Sequence, residues 1–552
     1  GARRAGLVPM DMPRSLPFLD GMLSLFAAGG FRMLVRMEQH TLREHHAADA
    51  KRVLVIGASL AGQMLVRELQ TKPILGLRPI GFVDGDSNKH DLRIANLPVF
   101  GGYDMLTEVI KDQHVDQVII ALPNASGKEI RELLQACDKA GVPARTVPSL
   151  SSIIDDTVSV SQLRNVDIED LLRREPIQTD VESVRKLING KRVLITGAGG
   201  SIGSELCRQV LNFGPADLGL LGHGENSIFE IDNELRRIVE RKESSSTVRK
   251  TQIHPFIADV RLPNRIRTVI SEFRPDVIFH AAAHKHVPLM ELNPTEAISN
   301  NVFGTKNMLD AALEFKVENF VMISTDKVVN PTNVMGASKR AAEMLVLKAA
   351  SQSGRNYVAV RFGNVLGSRG SVVPTFKKQI ASGGPVRVSH PDMKRFFMTI
   401  PEAVQLVLQS SVLGSGGEVF MLDMGEPIKI VDLAKDLIEL SGLELGADID
   451  IVYSGIRPGE KLVEELFIKG ETYQPTKHEK VRIVQNACSF VAEKLDETIR
   501  DLDLVVRADD QHGVIRCLTN IIPEFVPDSR RWVQESSASA PSESKETVSA
   551  RG

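Results

Sequence analysis

From Lys51 onward, short apolar runs alternate with longer stretches whose apolar residues fall on one helical face. "KRVLVIG" (51–57) predicts a strand, and the segment behind it, with glycines at 57 and 62, predicts an amphipathic helix. "IGFVD" (80–84) and "VDQVIIALP" (115–123) predict further strands, and "GKEIRELLQACDKAG" (127–141) a helix. The same opening returns at Lys191 as "KRVLITGAGGSIGSELCRQVL". Strand and helix in alternation imply a parallel sheet wound on both faces. The two similar openings imply two copies of that architecture, so the fold class is α/β with two tandem Rossmann-like doubly wound parallel sheets. Between them, "SVSQLRNVDIEDLLRREPIQTDVESVRKLING" reads as a linker with helical pieces.

The ends differ from this pattern. "GMLSLFAAGGF" (21–31), flanked by Arg14, Arg32 and Arg36, is apolar. It is well short of the ~20 residues of a spanning helix. It reads as a helix that lies on a membrane surface or packs on the protein. The Ser-rich end, "ESSASAPSESKETVSARG", is polar and predicts a disordered tail. The expected divisions are 1–49 (membrane-proximal or interfacial), 50–150 (first sheet), 151–189 (linker), 190–530 (second sheet with its substrate part) and 531–552 (tail).

Composition narrows the class. With 42% hydrophobic and 25% charged residues the chain is of soluble globular type, and a net charge of −3 gives no electrostatic case for nucleic acid. Cys137, Cys207, Cys488 and Cys517 are scattered without a C-x-x-C pair, so neither a disulfide framework nor a metal site is indicated. A reducing setting fits best.

The two glycine signals carry different weight. Gly57 and Gly62 lack a middle glycine, Ser59 standing there, so the first sheet either binds a nucleotide or only keeps the shape of a fold that does. Gly197, Gly200 and Gly203 join a strand directly to a helix. There, backbone can approach a pyrophosphate and the helix N-terminus offers unpaired N–H groups. Ser201 and Ile202 belong to the same candidate cofactor loop. "FIADVRLP" puts Asp259 and Val260 after a strand, where an adenine edge would lie, and "HAAAHKHVP" puts Ala281, Ala282 and Ala283 where a cofactor needs close backbone approach. The second strand of this unit ends in Gly222 and His223 without the acidic residue that grips an adenosine ribose, so NAD and NADP both remain open.

"STDKVVNPTNVMGASKR" (324–340) holds the candidate chemistry. Thr325, Asp326 and Lys327 end a strand, and Lys339 follows at a spacing that in sugar-nucleotide dehydrogenases comes with a tyrosine four residues earlier. That position is Met335, which has no proton to exchange.

Together "GAGGSIGSEL", "HAAAHKHVP", "STDKVVNPTNVMGASKR", "VRFGNVLGSRGSVVP" and "IRPGEKLVEEL" resemble the CapD/WbpM/PglF polysaccharide-biosynthesis family over about Arg14 to Pro523. Its long forms, extended short-chain dehydrogenases with a small C-terminal substrate-binding part, are UDP-N-acetylglucosamine 4,6-dehydratases, and they are similar to this chain in carrying Met at the tyrosine position. The resemblance implies tightly held NAD or NADP, UDP-N-acetylglucosamine as substrate, a homo-oligomer, and a place on the cytoplasmic side of the inner membrane. The long forms' spanning helices are not found in this sequence, so the chain reads as the cytoplasmic portion, with residues 14–37 nearest the membrane. It also implies roles. Thr325 would hold the C4 hydroxyl, Asp326 would be the acid toward the C6 hydroxyl, and Lys327 the base for C5. Lys339 would hold the nicotinamide ribose. Lys285, Asn364, Arg369, Arg395, Arg457 and Glu460 would grip the substrate. The product would be the 4-keto-6-deoxy sugar of D-xylo configuration, with C5 retained. Asp326 must then be protonated and Lys327 neutral at the right moment. The base for the C4 hydroxyl stays open between Asp326 and a water held by Thr325 and Lys339. Two other readings stand beside this one: a UDP-sugar 4-epimerase, and a catalytically inactive nucleotide-sensing regulator.

Overall fold

In the computed structural model the described residues are 50–72, 75–147, 163–172, 179–243, 251–468, 470–484, 493–530 and 532, with 22, 24 and 30 isolated near the start. The rest of the expected interfacial helix, two pieces of the linker (151–162 and 173–178) and the C-terminal tail apart from Trp532 lie outside them. No helix among the described residues is long and apolar enough to cross a membrane. The chain divides into two compact units, 1–166 and 167–552.

The first unit is built on β1 (Lys51–Ile56), α1 (Leu60–Thr71), β2 (Leu77–Val83), β3 (Gln117–Ile120), α2 (Gly127–Lys139), β4 (Ala144–Thr146) and β5 (Arg164–Asn165). The sheet order is β2-β1-β3-β4-β5, parallel except at β5. β3 is buried along its whole length, which explains why "QVII" shows no alternation. α2 starts at a capping box: Ser126 Oγ accepts from the Glu129 N–H, and Glu129 returns a carboxylate oxygen to the Ser126 N–H.

The second unit opens with α3 (Val181–Ile188), within the expected linker, whose Val184 and Ile188 are buried in this unit's own core. Its sheet contains β6 (Arg192–Thr196), β7 (Asp217–Gly222), β8 (Gln252–Ile257), β9 (Val277–His280), β10 (Asn319–Ile323), β11 (Asn356–Arg361), β12 (Val419–Leu422), β13 (Tyr473–Pro475) and β14 (Val481–Val484). The order is β8-β7-β6-β9-β10-β11-β12-β14-β13. The first seven strands are parallel and the last two antiparallel. The direction of winding reverses between β6 and β9, and a ligand crevice belongs at the carboxyl ends of those strands.

Each sheet face carries its own core. On one face α3, α4 (Ser201–Asn212), α5 (Glu225–Glu243) and α8 (Ile400–Leu413) pack on the strands. On the other lie α6 (Gly304–Glu314) and α7 (Val334–Ser353), joined by the C-terminal pair α9 (Leu495–Arg507) and α10 (Gln511–Ile521). α7 carries little amphipathic signal because it is enclosed: every residue from Val334 to Leu347 is buried. Asn333 caps it by accepting from the Gly336 N–H (2.7 Å), and Gly354, at φ 63°, ends it.

Candidate active site

At the end of β6 the chain turns through Gly197, whose φ is 65°. A Cβ there would lie 2.8 Å from the Ala282 nitrogen, and one at Gly203 would lie 2.0 Å from the Gly197 oxygen, so both positions admit only glycine. Gly199 is equally constrained, its Cβ meeting Ser227 Oγ at 2.4 Å, although the sequence reading singled out Gly200. Gly200 is the N-cap of α4 with ordinary backbone angles, and a Cβ there would meet only the Gly197 oxygen, at 3.1 Å. The tight turn, the close loop of Ala281 to Ala283 and the open helix N-terminus together fit a dinucleotide pyrophosphate.

The alanine loop is pinned from below. Thr196 Oγ1 accepts from the Ala282 N–H (3.2 Å) and sits 2.8 Å from His280 Nδ1, while His280 Nε2 lies 3.1 Å from Thr305 Oγ1. Burial, helped by the charge of Lys339, pushes His280 down to about 3, so the ring is neutral. Asn301, on a π-helical turn (Ile298–Phe303), fixes the loop's far end. Its Oδ1 accepts from the His284 N–H, and its Nδ2 donates to the His284 carbonyl and to Ser338 Oγ. Ile202 and Val260 are packing residues of the two cores, and Ser201 Oγ accepts from the Arg369 N–H (3.1 Å). Asp259 is gripped by Arg261, whose hydrogen bonds hold the carboxyl below its usual range. His223 stands close enough to add to that effect. At the expected ribose end the structure thus presents His223 and an Arg261–Asp259 pair, with no free carboxylate at the end of β7.

β10 delivers Thr325, Asp326 and Lys327 beside this crevice. Asp326 is fully buried. Its Oδ1 accepts from Thr325 Oγ1 (2.9 Å) and from Lys327 Nζ (2.9 Å), while its Oδ2 is buried with no hydrogen-bond partner. A buried carboxylate oxygen left unpaired is costly and marks a place for a donor. Lys327 Nζ also donates to Asn364 Oδ1 (3.1 Å) and lies 4.0 Å from Glu464 Oε1. Burial alone would lower the lysine's pKa, but the charges of Asp326 and Glu464 outweigh it and the net shift is upward. That runs opposite to what a standing neutral base needs: Lys327 rests as the ammonium.

Gly336 sets how α7 meets this segment, since a Cβ there would lie 2.2 Å from the Lys327 carbonyl oxygen. Met335 beside it is buried in the core, 2% exposed. Lys339 reaches back to β10, donating to the Ile323 carbonyl (2.7 Å). Its burial, only partly offset by Glu343, brings it down to about 8.

The predicted substrate residues fall into separate groups. Lys285 Nζ donates to Ser368 Oγ (3.3 Å), and its pKa is lowered by burial and then by Lys327. His286, which the sequence reading passed over, feels both Lys285 and Arg457 and faces Gly370, so three loops bring a cationic mouth together. Arg457 is exposed and paired with Glu460. Arg369 turns toward the glycine loop, donating to the Gly199 carbonyl (3.2 Å) and Glu230 (3.3 Å). Arg395 donates to the carbonyls of Lys394, Lys461 and Leu462, and its Nε lies 3.5 Å from Glu464 Oε1, so it shapes the 461–464 segment and shares Glu464 with Lys327.

Behind the site runs a buried charge network with no periodic signature in sequence. Glu343 accepts from Ser324 Oγ (2.6 Å), Arg361 (2.8 and 2.9 Å) and Arg340 (3.1 Å). Arg361 also pairs with Glu471 (2.7 and 3.0 Å). Burial opposes ionisation of Glu343, but Arg361 and Arg340 prevail and keep it charged.

The first unit has its own glycine turn after β1. A Cβ at Gly57 would meet Leu122 Cδ2 at 2.6 Å, and Asp84, at the end of β2, turns inward to accept from the Ala58 N–H (2.6 Å) and from Lys89.

Comparison with known proteins identifies the family. A family described as "Polysaccharide biosynthesis protein" matches residues 193–486, and one described as "CoA-binding domain" matches residues 21–148. The capsular polysaccharide biosynthesis protein CapD of Staphylococcus aureus is 47% identical over 468 residues, 84% of this chain and 76% of that protein. This chain belongs to the CapD-type polysaccharide-biosynthesis family. Within that family, the probable polysaccharide biosynthesis protein EpsC of Bacillus subtilis is 46% identical over 461 residues, 84% of this chain and 75% of its own length. The UDP-N-acetylglucosamine 4,6-dehydratase (inverting) of Campylobacter jejuni is 33% identical over 321 residues, 57% of this chain and 89% of that enzyme. The relatives of this chain include nucleotide-sugar dehydratases and epimerases, and its second unit is a doubly wound α/β sheet of Rossmann type.

Proposed function

We propose that the second unit is a UDP-N-acetylglucosamine 4,6-dehydratase that retains configuration at C5. The observation that carries this reading is Asp326: fully buried, joined to Lys327 through one oxygen and unpaired at the other. An epimerase needs no acid beside C6. A nucleotide sensor needs no buried acid–base pair.

The glycine loop of Gly197 to Gly203, the alanine loop and Lys339 would hold NAD or NADP, which when bound supplies the reversible oxidation at C4. The protein's part is proton transfer. For turnover Lys327 must first give up its proton to solvent. The proton lost from the C4 hydroxyl on oxidation then passes through Thr325 Oγ1 to Asp326, which leaves a protonated acid beside a neutral base. Asp326 Oδ2 would face the C6 hydroxyl and give it that proton as Lys327 takes the one from C5, and water leaves. Lys327 returns its proton to C5 on the same face, so the pair ends as it began. The lysine and histidine of the 284–286 loop, with Arg457, would face the diphosphate.

Incubation with UDP-N-acetylglucosamine followed by mass spectrometry tests the reading. Loss of one water supports it; an isomer of unchanged mass would make the protein an epimerase, and no reaction with bound cofactor present would make it a regulator.

A further inference from the structure

The polypeptide after α10 runs back over the loop that carries Arg457. Val526 N–H donates to the Pro331 carbonyl (3.0 Å) just before α7. Asp528 Oδ2 accepts from the Gly459 N–H (2.8 Å). Arg530 Nη1 and Nη2 donate to the carbonyls of Ile456 (3.1 Å) and Arg457 (3.2 Å), and its Nε donates to Asp528 Oδ1 (2.9 Å). The hydrogen bonds of Arg530 bring Asp528 down to about 2, so its charge persists through the physiological range. From the other side, Thr332 Oγ1 and Asn333 Nδ2 both donate to the Gly459 carbonyl. Gly459 has no room to shift, since a Cβ there would meet Asn333, Glu291 and Val287 within 3.1 Å. Trp532 ends the crossing by donating to Glu291 Oε2 (3.1 Å), whose Oε1 accepts from the Val334 N–H (2.6 Å).

The Arg457 loop is therefore held at three backbone groups: the carbonyls of Ile456 and Arg457 by Arg530 and the Gly459 N–H by Asp528. Among the described residues the Arg457 side chain bonds to Glu460 through Nε and Nη2, and it stays 59% exposed. These bonds come from residues beyond the 193–486 stretch that the family match covers.

We propose that residues 526–530 are a strap on the substrate loop, with Asp528 and Arg530 as positioning residues that hold Arg457 for a nucleoside diphosphate. Neither residue touches the substrate. Each fixes backbone whose displacement by an ångström would take the guanidinium fork out of phosphate range. The proposal rests on the reading of Arg457 as a phosphate-binding residue.

The test uses the full chain and four variants: Asp528→Ala, Arg530→Gln, Arg457→Ala, and the Arg530→Gln/Arg457→Ala double. The measurements are kcat and KM for UDP-N-acetylglucosamine, with bound cofactor per chain as the control. The strap variants should raise KM about tenfold with kcat within about twofold, the pattern of lost uniform binding. Cofactor content should not change. The double variant should be no worse than Arg457→Ala alone, because the strap acts through that residue. Wild-type KM in both strap variants beside a raised KM in Arg457→Ala would overturn the strap, as would additive losses in the double. Wild-type KM in Arg457→Ala would instead overturn the phosphate-binding reading, and the strap with it. Should Asp528→Ala fail to fold, Arg530→Gln, at a half-exposed position and still a donor, carries the comparison.

Discussion

Lys327 Nζ lies 2.9 Å from Asp326 Oδ1, and the aspartate's second oxygen has no partner at all. One group is satisfied and its neighbour is half satisfied, inside the same buried pair. If the pair acts as acid and base, each half is indispensable. Asp326→Asn and Lys327→Ala should each lower dehydration by roughly a hundredfold or more, the scale of a lost general acid or base. Single-turnover water loss measures it, and near-normal rates in both variants would remove the pair from the chemistry.

The second prediction concerns Lys339. Burial holds it at about 8, below its ordinary 10.5. Its ammonium is present below that value and lost above it. Turnover should therefore fall as pH rises through about 8, and Lys339→Arg should abolish that limb in a kcat profile. Stability moves the other way. Between about 8 and 10.5 the unfolded chain binds more protons than the folded one, so stability rises with pH over that window. Lys339→Met should melt above the wild type at pH 7, with the gap narrowing toward pH 10.

The glycine loop gives a charge test with little steric cost. A side chain at Gly200 points into open space apart from the Gly197 oxygen at 3.1 Å. Gly200→Asp should fold normally and lose its nicotinamide cofactor, because a carboxylate would stand where the helix N-terminus receives phosphate. Retention of cofactor at wild-type stoichiometry would move the binding site elsewhere.

Stereochemistry supplies the fourth. A deprotonated C5 is planar, and a proton returned by the base that removed it reaches the same face. Met335 is buried and has no proton to offer the opposite one. In heavy water the product should carry deuterium at C5 in the D-xylo configuration, read from proton coupling constants. An L-arabino product would mean that another donor reaches the far face.

Much of this was legible in the chain because it is local. The openings at Lys51 and Lys191 announce two sheets, since a strand, a glycine turn and a helix occupy consecutive residues. Thr325, Asp326 and Lys327 are adjacent for the same reason. What escaped the sequence is long-range. His286 meets Arg457 across the fold, and Glu471 meets Arg361 from the far edge of the sheet. No periodicity encodes such pairs. Residue type alone does not separate the arginines either: Arg369 and Arg395 sit on phosphate-like motifs, yet the first leans on the glycine loop and the second is divided between backbone carbonyls and Glu464. Their neighbours decide the role.

The charge network behind β10 has a consequence for how the protein is made. Arg361 is paired by Glu343 on its N-terminal side but needs Glu471 for its second face, and Arg340 reaches Glu524. A chain emerging from the ribosome completes the parallel strands long before those glutamates exist. Until then two arginines at the floor of the site are short of partners, and the strand end that presents Asp326 is unsupported. The nascent second unit should therefore stay protease-sensitive and catalytically silent until nearly its whole length is synthesised, then close in one late step. By taking the last counter-charges of its active site from residues late in the second unit, this chain gains, without further machinery, a check that only a fully synthesised second unit works.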